Sequence, residues 1–205
     1  MTEEKEAAPL RRRGERMRQA VLTATVDLLA AEGLAATTVA AVARAAGVHE
    51  TSVYRRWKTR ENLIFDALAA HTDETLPVPD TGSVREDLSR LADALARSLA
   101  TPQGAALLQL GTVLGEGALR EGRRSYWQAR MERAEALVRR GIDRGELAAE
   151  TDPHLVVEAI MGPLLARVLL TGEPLEETLA PRLVDLVLGG AWCARSAPGS
   201  GLSDA

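Results

Sequence analysis

Apolar residues recur along most of the chain at three- and four-residue spacing, which is the period of an amphipathic α-helix. The first stripe predicts a helix from about residue 13 to residue 31, and Gly33 stands where this helix should stop. The stripe consists of Met17, Ala20, Val21, Ala24, Leu28 and Ala31. We find no strictly alternating segment of the kind that indicates a β-strand, so the pattern predicts an all-α fold.

Three shorter helices follow the first one. Thr37 and Thr38 can cap the second helix, and Gly47 and Val48 form a tight turn after it. The third helix should run from about Glu50 to Trp57, with Val53 and Trp57 directed inward. Two short helices joined by a glycine turn are typical of a helix-turn-helix. The apolar positions of the second helix are Val39, Val42, Ala43 and Ala46; a fourth helix, capped by Thr59, carries Leu63, Ile64, Ala67 and Leu68.

The segment 76–83, rich in proline and glycine, interrupts the helical pattern and is the natural domain boundary. We therefore expect a helix-turn-helix domain over residues 11–75 and a second helical domain over residues 84–195. Tails 1–10 and 196–205 are predicted to be disordered. In the second domain the pattern predicts helices from Val84, from Pro102, over 124–144, from residue 151 to Leu170, and from Pro174 to Trp192.

Charge is divided unevenly along the chain. Its formal net charge is −4, yet Leu10–Arg60 holds ten basic and four acidic residues, a net +6 that leaves −10 for the rest. An asymmetry of this size favours a polyanionic partner for the N-terminal part, although basic residues also cluster on solvated helix faces.

Other classes of protein find little support in the sequence. Residues 1–19 are charged throughout, unlike a signal peptide, and the weakly charged stretch 159–171 is too short to span a bilayer. The lone Cys193 fits a reducing cytoplasm. The three histidines lack metal-ligand spacing, and we find no nucleophile elbow, P-loop or dinucleotide fingerprint. We expect a cytoplasmic protein that is not an enzyme, with no cofactor, metal or membrane partner.

The stretch Ala36–Leu63 resembles the TetR family of bacterial regulators. The resemblance rests on the threonine pair, the Ala-Ala-Gly-Val turn, the Ser-Val-Tyr step and the aromatic-Lys-x-x-Glu-x-Leu exit. Two positions depart from the family pattern: His49 stands where serine is common, and Trp57 where phenylalanine is usual. The resemblance implies a DNA-binding helix-turn-helix followed by a ligand-binding and dimerisation domain.

The third helix presents polar side chains opposite Val53 and Trp57, and small side chains at a helix start can approach base edges in the major groove. Donors at positions that bind phosphate in this family complete the predicted surface, and the segment 11–13 can reach the backbone or the minor groove. The predicted DNA-binding residues are Thr38, Arg44, His49, Glu50, Thr51, Ser52, Tyr54, Arg55 and Lys58.

Each assignment has a simpler alternative. Thr38 can be a helix cap only, Tyr54 a packing residue, and the segment 11–13 a solvated tail. Glu50 either reads cytosine or merely favours the helix N-terminus through the helix dipole.

One recognition helix reads few base pairs, so specificity normally needs a two-fold dimer. The resemblance places pairing on the last two helices, where the candidate residues are Ile160, Leu164, Arg167, Val168, Leu179, Leu183, Leu186 and Val187. It also implies a cavity for an unidentified small-molecule effector, with candidate residues Leu95, Leu107, Leu110, Leu114, Trp127, Met131, Met161 and Leu165. Ordinary core packing is the alternative for both sets.

These expectations combine into a repressor that binds a palindromic DNA operator as a homodimer and is released by the effector. The alternative is an architectural or constitutive DNA-binding protein without a ligand. Whether the protein represses or activates transcription stays open at this point.

Overall fold

The computed structural model describes residues 3–113 and 118–193, with side chains over 14–109 and 119–189. Over these ranges the chain forms helices and no strand, which confirms the all-α fold. The helices are α1 (Glu3–Ala36), α2 (Val39–Ala45), α3 (Glu50–Trp57), α4 (Arg60–Thr75), α5 (Val84–Leu99), α6 (Pro102–Val113), α7 (Ala118–Asp143), α8 (Pro153–Ala166), which continues into a π-helical turn (Arg167–Thr171), and α9 (Leu179–Cys193).

Helix α1 begins ten residues before the start that the apolar pattern predicts. Residues 3–8 are glutamate, lysine and alanine, all strong helix formers, and each residue added to an existing helix gains one hydrogen bond. Residues 3–10 belong to α1 in the structure, where the sequence predicts a disordered tail, while the tail 196–205 lies outside the described residues. Near its other end α1 is interrupted at Gly33, whose φ of 78° and ψ of −179° are not helical.

The buried face of α1 is rotated relative to the predicted stripe. Val21, Leu22, Val26 and Leu29 are buried, whereas Ala20 and Ala31 are exposed. Leucine and valine bury more apolar area than alanine, so their placement decides which face turns inward.

The chain divides into two compact units. Unit 1 comprises Met1–Pro77 and Ser98–Gln128, so it contains α1–α4, α6 and the first part of α7. The division after Pro77 falls at the predicted linker, but the sequence pattern gave no sign that Ser98–Gln128 joins the N-terminal helices. The core of unit 1 is built from Val21, Leu22, Ala24, Val26, Leu29, Val39, Val42, Ala43, Val53, Trp57, Leu63, Ile64, Ala67, Leu68 and Leu107.

Unit 2 comprises Val78–Arg97 and Ala129–Ala205. Helix α8 starts with Asp152 as its cap and Pro153 in its first turn, and the π-helical turn stops at Gly172, which has a φ of 66°. Helix α9 starts at Leu179, not at Pro174 as predicted. The carbonyl oxygen of Pro174 accepts a hydrogen bond from Arg167 Nη1 at 2.7 Å, which holds this residue in the loop.

Two helical stretches, Gly14–Ala36 and Pro153–Thr171, are long and apolar enough to cross a membrane by length and composition alone. The second stretch is longer than we expected because the helix begins at Pro153. In the fold, Leu22 on α1 is buried in unit 1 and Ile160 on α8 in unit 2, as in the core helices of a globular protein.

Candidate DNA-binding surface

Helix α2 starts at a threonine cap, as predicted. The Thr38 Oγ1 accepts a hydrogen bond from the backbone N–H of Ala41 at 3.1 Å, and the side chain is otherwise exposed. Its neighbour Thr37 is buried and donates to the carbonyl oxygen of Gly33 at 2.8 Å. The two threonines thus have different roles: Thr37 holds the chain, and Thr38 presents the amide end of α2 to solvent, where an anion can bind.

Helix α3 has the two faces that the sequence predicts. Val53 and Trp57 are buried, and Thr51 and Arg55 lie two residues on either side of Val53, about 200° around the helix from it. Thr51 and Arg55 are exposed, and 50% of Tyr54 is accessible. The polar face of α3 is therefore free to enter a DNA groove.

The start of α3 is held less firmly than the start of α2. His49 occupies the capping position but makes no side-chain cap hydrogen bond. Glu50 is exposed in the first turn, where its negative charge is favourable to the helix dipole, and Ser52 is half-buried.

Lys58 follows α3 in a backbone conformation that the sequence does not signal. Its φ is 66° and its ψ is −46°, and it is the one non-glycine residue with positive φ in the described part of the chain. The side chain of Lys58 is exposed. Arg44, in the last turn of α2, is also exposed. Side chains of the segment 11–13 lie outside the described residues.

Helix α4 fixes this surface through three polar side chains that the sequence analysis missed. Arg60 Nε donates to the carbonyl oxygen of Thr37 at 2.7 Å, and its Nη2 donates to that of Leu34. Asn62 Nδ2 donates to the carbonyl oxygen of Trp57 at 3.0 Å, and Asp66 Oδ2 accepts from Trp57 Nε1 at 2.8 Å. The one signal in the sequence was Trp57 at a position where phenylalanine is usual, because a buried indole N–H needs a hydrogen-bond acceptor and a phenylalanine does not.

The predicted effector-pocket residues fall in both units. In unit 1, Leu107 is buried in the core and Trp127 packs edge-on against Tyr126 with ring centroids 5.5 Å apart. For Leu107 the structure thus favours the alternative of ordinary core packing. In unit 2, Leu95 is buried and the remaining candidates are half-buried, namely Met131, Met161 and Leu165. The side chains of Leu110 and Leu114 lie outside the described residues.

A separate cleft in unit 1 lies between α1 and α4. Polar side chains line much of it, among them Asp27, His71 and Glu74, with Gln19 donating to Glu74 at 3.1 Å. None of the residues predicted for the effector pocket lines this cleft.

The predicted pairing residues are largely internal to unit 2. Ile160, Leu164 and Leu179 are buried inside the protomer, which favours the alternative of core packing for these three residues. The buried residues of α8, namely Val156, Val157, Ile160 and Leu164, fill the core of unit 2 itself, which was the alternative that the sequence left open. Val168, Leu183 and Val187 are half-buried, and Arg167 pairs with Glu173 at 3.4 Å in the loop that follows. Leu186 is 71% exposed, so its side chain is available to a partner.

An exposed apolar face, which the sequence analysis missed, lies on the opposite side of α8. Leu155 is 61% exposed and Leu170 is 82% exposed, and Ala159 and Gly162 between them are also exposed. Their spacing of four and three residues places Leu155, Ala159 and Gly162 on one side of the helix. The signal was present in the sequence, because α8 is apolar on two faces.

Comparison with known proteins agrees with this geometry. Residues 21–67 match the family described as bacterial regulatory proteins, tetR family, and residues 78–187 match the tetracyclin repressor-like C-terminal domain. The chain is 38% identical to the HTH-type transcriptional regulator AqdR of Rhodococcus erythropolis over 87% of this chain and 86% of that protein. It is 30% identical to the DNA-binding transcriptional repressor TetR of Mycobacteroides abscessus over 86% of this chain and 94% of that protein.

Solved structures show the same fold. The TetR family transcription regulator SCO0332 is 30% identical and superposes with a TM-score of 0.72 over 85% of this chain and 97% of its own. The regulator FadR of Bacillus subtilis in complex with stearoyl-CoA gives a TM-score of 0.67 at 18% identity, over 84% of this chain and 98% of its own. The match of both domains, with the helix-turn-helix in its expected place, shows that this chain belongs to the TetR family of DNA-binding transcriptional regulators.

Proposed function

We propose that the protein is a cytoplasmic repressor that binds a palindromic operator as a homodimer and releases it when a small molecule binds. The observation that carries this proposal is the two-faced geometry of α3, with Val53 and Trp57 in the core and Thr51, Tyr54 and Arg55 in solvent. A short helix anchored on one side and polar on the other is what major-groove recognition requires.

The residues of the proposed DNA-binding surface divide into two groups. Thr51, Ser52 and Arg55 lie on the side of α3 away from the core, where they meet base edges and specify sequence. Thr38, Tyr54 and Lys58 lie at the ends and flank of this face and contact phosphate oxygens, together with the amide end of α2. Arg44, His49 and Glu50 complete the surface around the turn.

Homodimer formation is supported by the exposed apolar face of unit 2. Leu155 is more than half exposed and continues into the exposed Ala159 and Gly162 on the same side of α8, and contiguous exposed apolar surface is typical of an interaction site. Leu170 and, on α9, Leu186 are also more than half exposed. A two-fold dimer would hold two copies of α3 about one helical turn of DNA apart, roughly 34–36 Å. We place the pairing surface on this face, and not on Ile160 and Leu164.

The effector is proposed to be a small apolar molecule. Leu95, Met131, Met161 and Leu165 supply adaptable aliphatic surface in unit 2, and the chain is only 3% aromatic, so stacking of a flat ligand is poorly provided for. The name of the FadR complex shows that a protein of this fold binds an acyl-CoA, but that likeness is one of fold alone.

The central experiment is selection of bound duplexes from random-sequence DNA by the wild-type protein. We expect a palindromic consensus with two half-sites. Tyr54→Phe and Lys58→Ala should then weaken binding to the selected and to a scrambled duplex alike, whereas Thr51→Ala and Ser52→Ala should change the preferred sequence. Equal effects of the two groups of substitutions would contradict the division of roles.

Dimer formation and induction are tested separately. Leu155→Glu combined with Leu186→Glu should halve the mass measured in solution, while Ala149→Glu, a charge added at another exposed position, should leave the mass unchanged. Ligand release predicts that some small apolar molecule raises the unfolding temperature and weakens operator binding together. If no fatty acid or acyl-CoA in a screen does both, the constitutive DNA-binding protein becomes the better description.

A further inference from the structure

The last residue of α3 is joined to α4 by a hydrogen bond that a phenylalanine could not make. Trp57 is buried, and its indole N–H donates to Asp66 Oδ2 at 2.8 Å. Its carbonyl oxygen accepts from Asn62 Nδ2 at 3.0 Å. Both the side chain and the backbone of Trp57 are therefore held by α4.

This hold adds to the packing of Val53, which lies in the core of unit 1 with residues of α2 and α4. A helix of eight residues is not stable alone, so packing and polar contacts determine its orientation. At its start, His49 provides no side-chain cap, whereas at its end Trp57 is held twice. The C-terminal end of α3 is thus the end that polar side chains of α4 hold in place.

Asp66 is itself fixed from a second direction. Its Oδ1 lies 3.4 Å from Arg18 Nη2 on α1, and Arg18 also pairs with Glu15 at 3.4 Å. The guanidinium carbon of Arg56 lies 5.6 Å from the centroid of the Trp57 ring, which is a distance typical of a cation–π contact. A carboxylate that bridges α1, α4 and Trp57 can define where the ring sits.

We infer that Asp66 is a positioning residue for operator recognition, acting through Trp57 on the direction of α3. Thr51 precedes Trp57 by six residues, or about 9 Å of helix, so a tilt of about 10° at Trp57 moves Thr51 by about 1.6 Å. Hydrogen bonds to base edges tolerate only a few tenths of an ångström, so sequence-specific contacts are lost before nonspecific ones. This inference rests on the proposed contact between the outer face of α3 and DNA.

The test compares two duplexes, one selected from random DNA by the wild-type protein and a scrambled duplex of equal length. We expect Asp66→Ala and Trp57→Phe each to weaken binding of the selected duplex about fivefold to tenfold, with less than about twofold change on the scrambled duplex. The double variant should bind like Asp66→Ala alone, because both changes remove the same hydrogen bond. Asp66→Asn retains an acceptor for the indole and should recover most of the affinity.

Two controls separate positioning from charge and from folding. Asp27→Ala removes one negative charge from an exposed site on α1 and should leave the preference for the selected duplex unchanged. In nuclear magnetic resonance spectra, the indole N–H signal of Trp57, identified by its absence from Trp57→Phe, should move upfield in Asp66→Ala as its hydrogen bond is lost. This signal reports the contact whether or not DNA binds.

The outcomes distinguish this inference from the proposed function. If the wild-type protein selects no preferred duplex, the proposed function fails while the indole signal still tests the contact. If Asp66→Ala keeps full preference for the selected duplex, or loses both duplexes equally, the positioning role is overturned. Should Asp66→Ala not fold, a folded Trp57→Phe with wild-type preference overturns it.

Discussion

The backbone N–H of Thr59 donates to the carbonyl oxygen of Trp57 at 2.8 Å, closing a three-residue turn around Lys58. The φ of 66° and ψ of −46° at Lys58 are those of a γ-turn of the strained kind, which a side chain with a Cβ rarely adopts. Strained backbone persists where the surroundings determine it, and here Trp57 is buried while Thr59 caps α4 by accepting from the N–H of Asn62 at 3.1 Å. The turn directs a lysine to the proposed phosphate contact.

Comparison of Lys58→Gly with Lys58→Ala isolates this strain, because both variants lose the ammonium and differ only in the Cβ. We expect Lys58→Gly to be the more stable of the two by about 1 kcal/mol, since glycine adopts positive φ without steric cost. Chemical denaturation measures the difference. Both variants should bind selected and scrambled DNA more weakly than wild type. The slope of log affinity against log salt concentration should fall in magnitude by about one, because one phosphate contact is lost. Equal stabilities would show that the turn is not strained.

Gly122 allows close approach of α7 to α4. A Cβ at this position would lie 2.4 Å from Cδ2 and Cε2 of Phe65, and Tyr126, one turn further on, lies with its Oη 2.6 Å from Oγ1 of Thr72. We expect Gly122→Ala to lower the free energy of unfolding by about 1–3 kcal/mol, because the Phe65 ring must move. Thermal unfolding measures this. Gly14→Ala is the control, since its Cβ meets nothing within 4 Å and alanine favours helix. An equal effect of both substitutions would contradict the packing argument.

The apolar and capping patterns were sufficient to predict the helix-turn-helix. Helix α3 has the predicted bounds, and Thr38, Thr59 and Gly47 act as their local chemistry indicates. These helix bounds, caps and turns depend only on residues that are close together in the chain, so they can be predicted from the sequence. For the same reason the polar face of α3 could be identified before the structure was known.

The remaining features depend on which distant element each residue meets. Arg60 looks like one more surface cation in the sequence, yet it binds the carbonyl oxygens of Leu34 and Thr37. Ile160 and Leu164 lie on a helix that is apolar on two faces, and periodicity cannot say which of the two faces turns to the core. The strained turn at Lys58 is likewise set by tertiary contacts at Trp57 and Thr59, not by the local propensity of lysine.

Asp87 is a buried carboxylate that fastens the loop before α5. It is fully buried, its Oδ1 accepts from the backbone N–H of Thr81 at 2.7 Å, and its Oδ2 lies 3.9 Å from Arg140 Nη2. We expect Asp87→Ala to lower the free energy of unfolding by about 2–3 kcal/mol, because the N–H of Thr81 loses its acceptor and Arg140 keeps only Pro79 and Asp80 as partners. Asp87→Asn should lower the free energy of unfolding by less, because the amide oxygen of the asparagine still accepts a hydrogen bond from the backbone N–H of Thr81.

Urea denaturation of these variants measures the loss. Asp93→Ala on the same helix is the matched control and should change stability by less than about 0.5 kcal/mol. If Asp87→Ala and Asp93→Ala unfold alike, the buried carboxylate contributes nothing to holding the loop.

His154, in the first turn of α8, gives unit 2 a dependence on pH. A hydrogen bond to Glu135, with Nδ1 2.8 Å from Oε1, raises the pKa of His154 above 6.5; desolvation opposes this, and the charges of Glu158, Glu135 and Asp152 add to it. The folded protein therefore binds a proton more tightly than the unfolded chain. The resulting stabilisation is fully present below pH 6.5 and is lost as the pH rises through the raised pKa.

We expect the difference in stability between wild type and His154→Gln to be larger at about pH 6 than at about pH 8. Urea denaturation at both values measures it. In a Glu158→Gln background, most of this dependence on pH should remain, because the hydrogen bond to Glu135 is the larger cause of the raised pKa of His154. If the difference in the free energy of unfolding between wild type and His154→Gln is the same at both pH values, the folded protein does not favour the protonated imidazole. The contact with Glu135 then forms with the neutral ring.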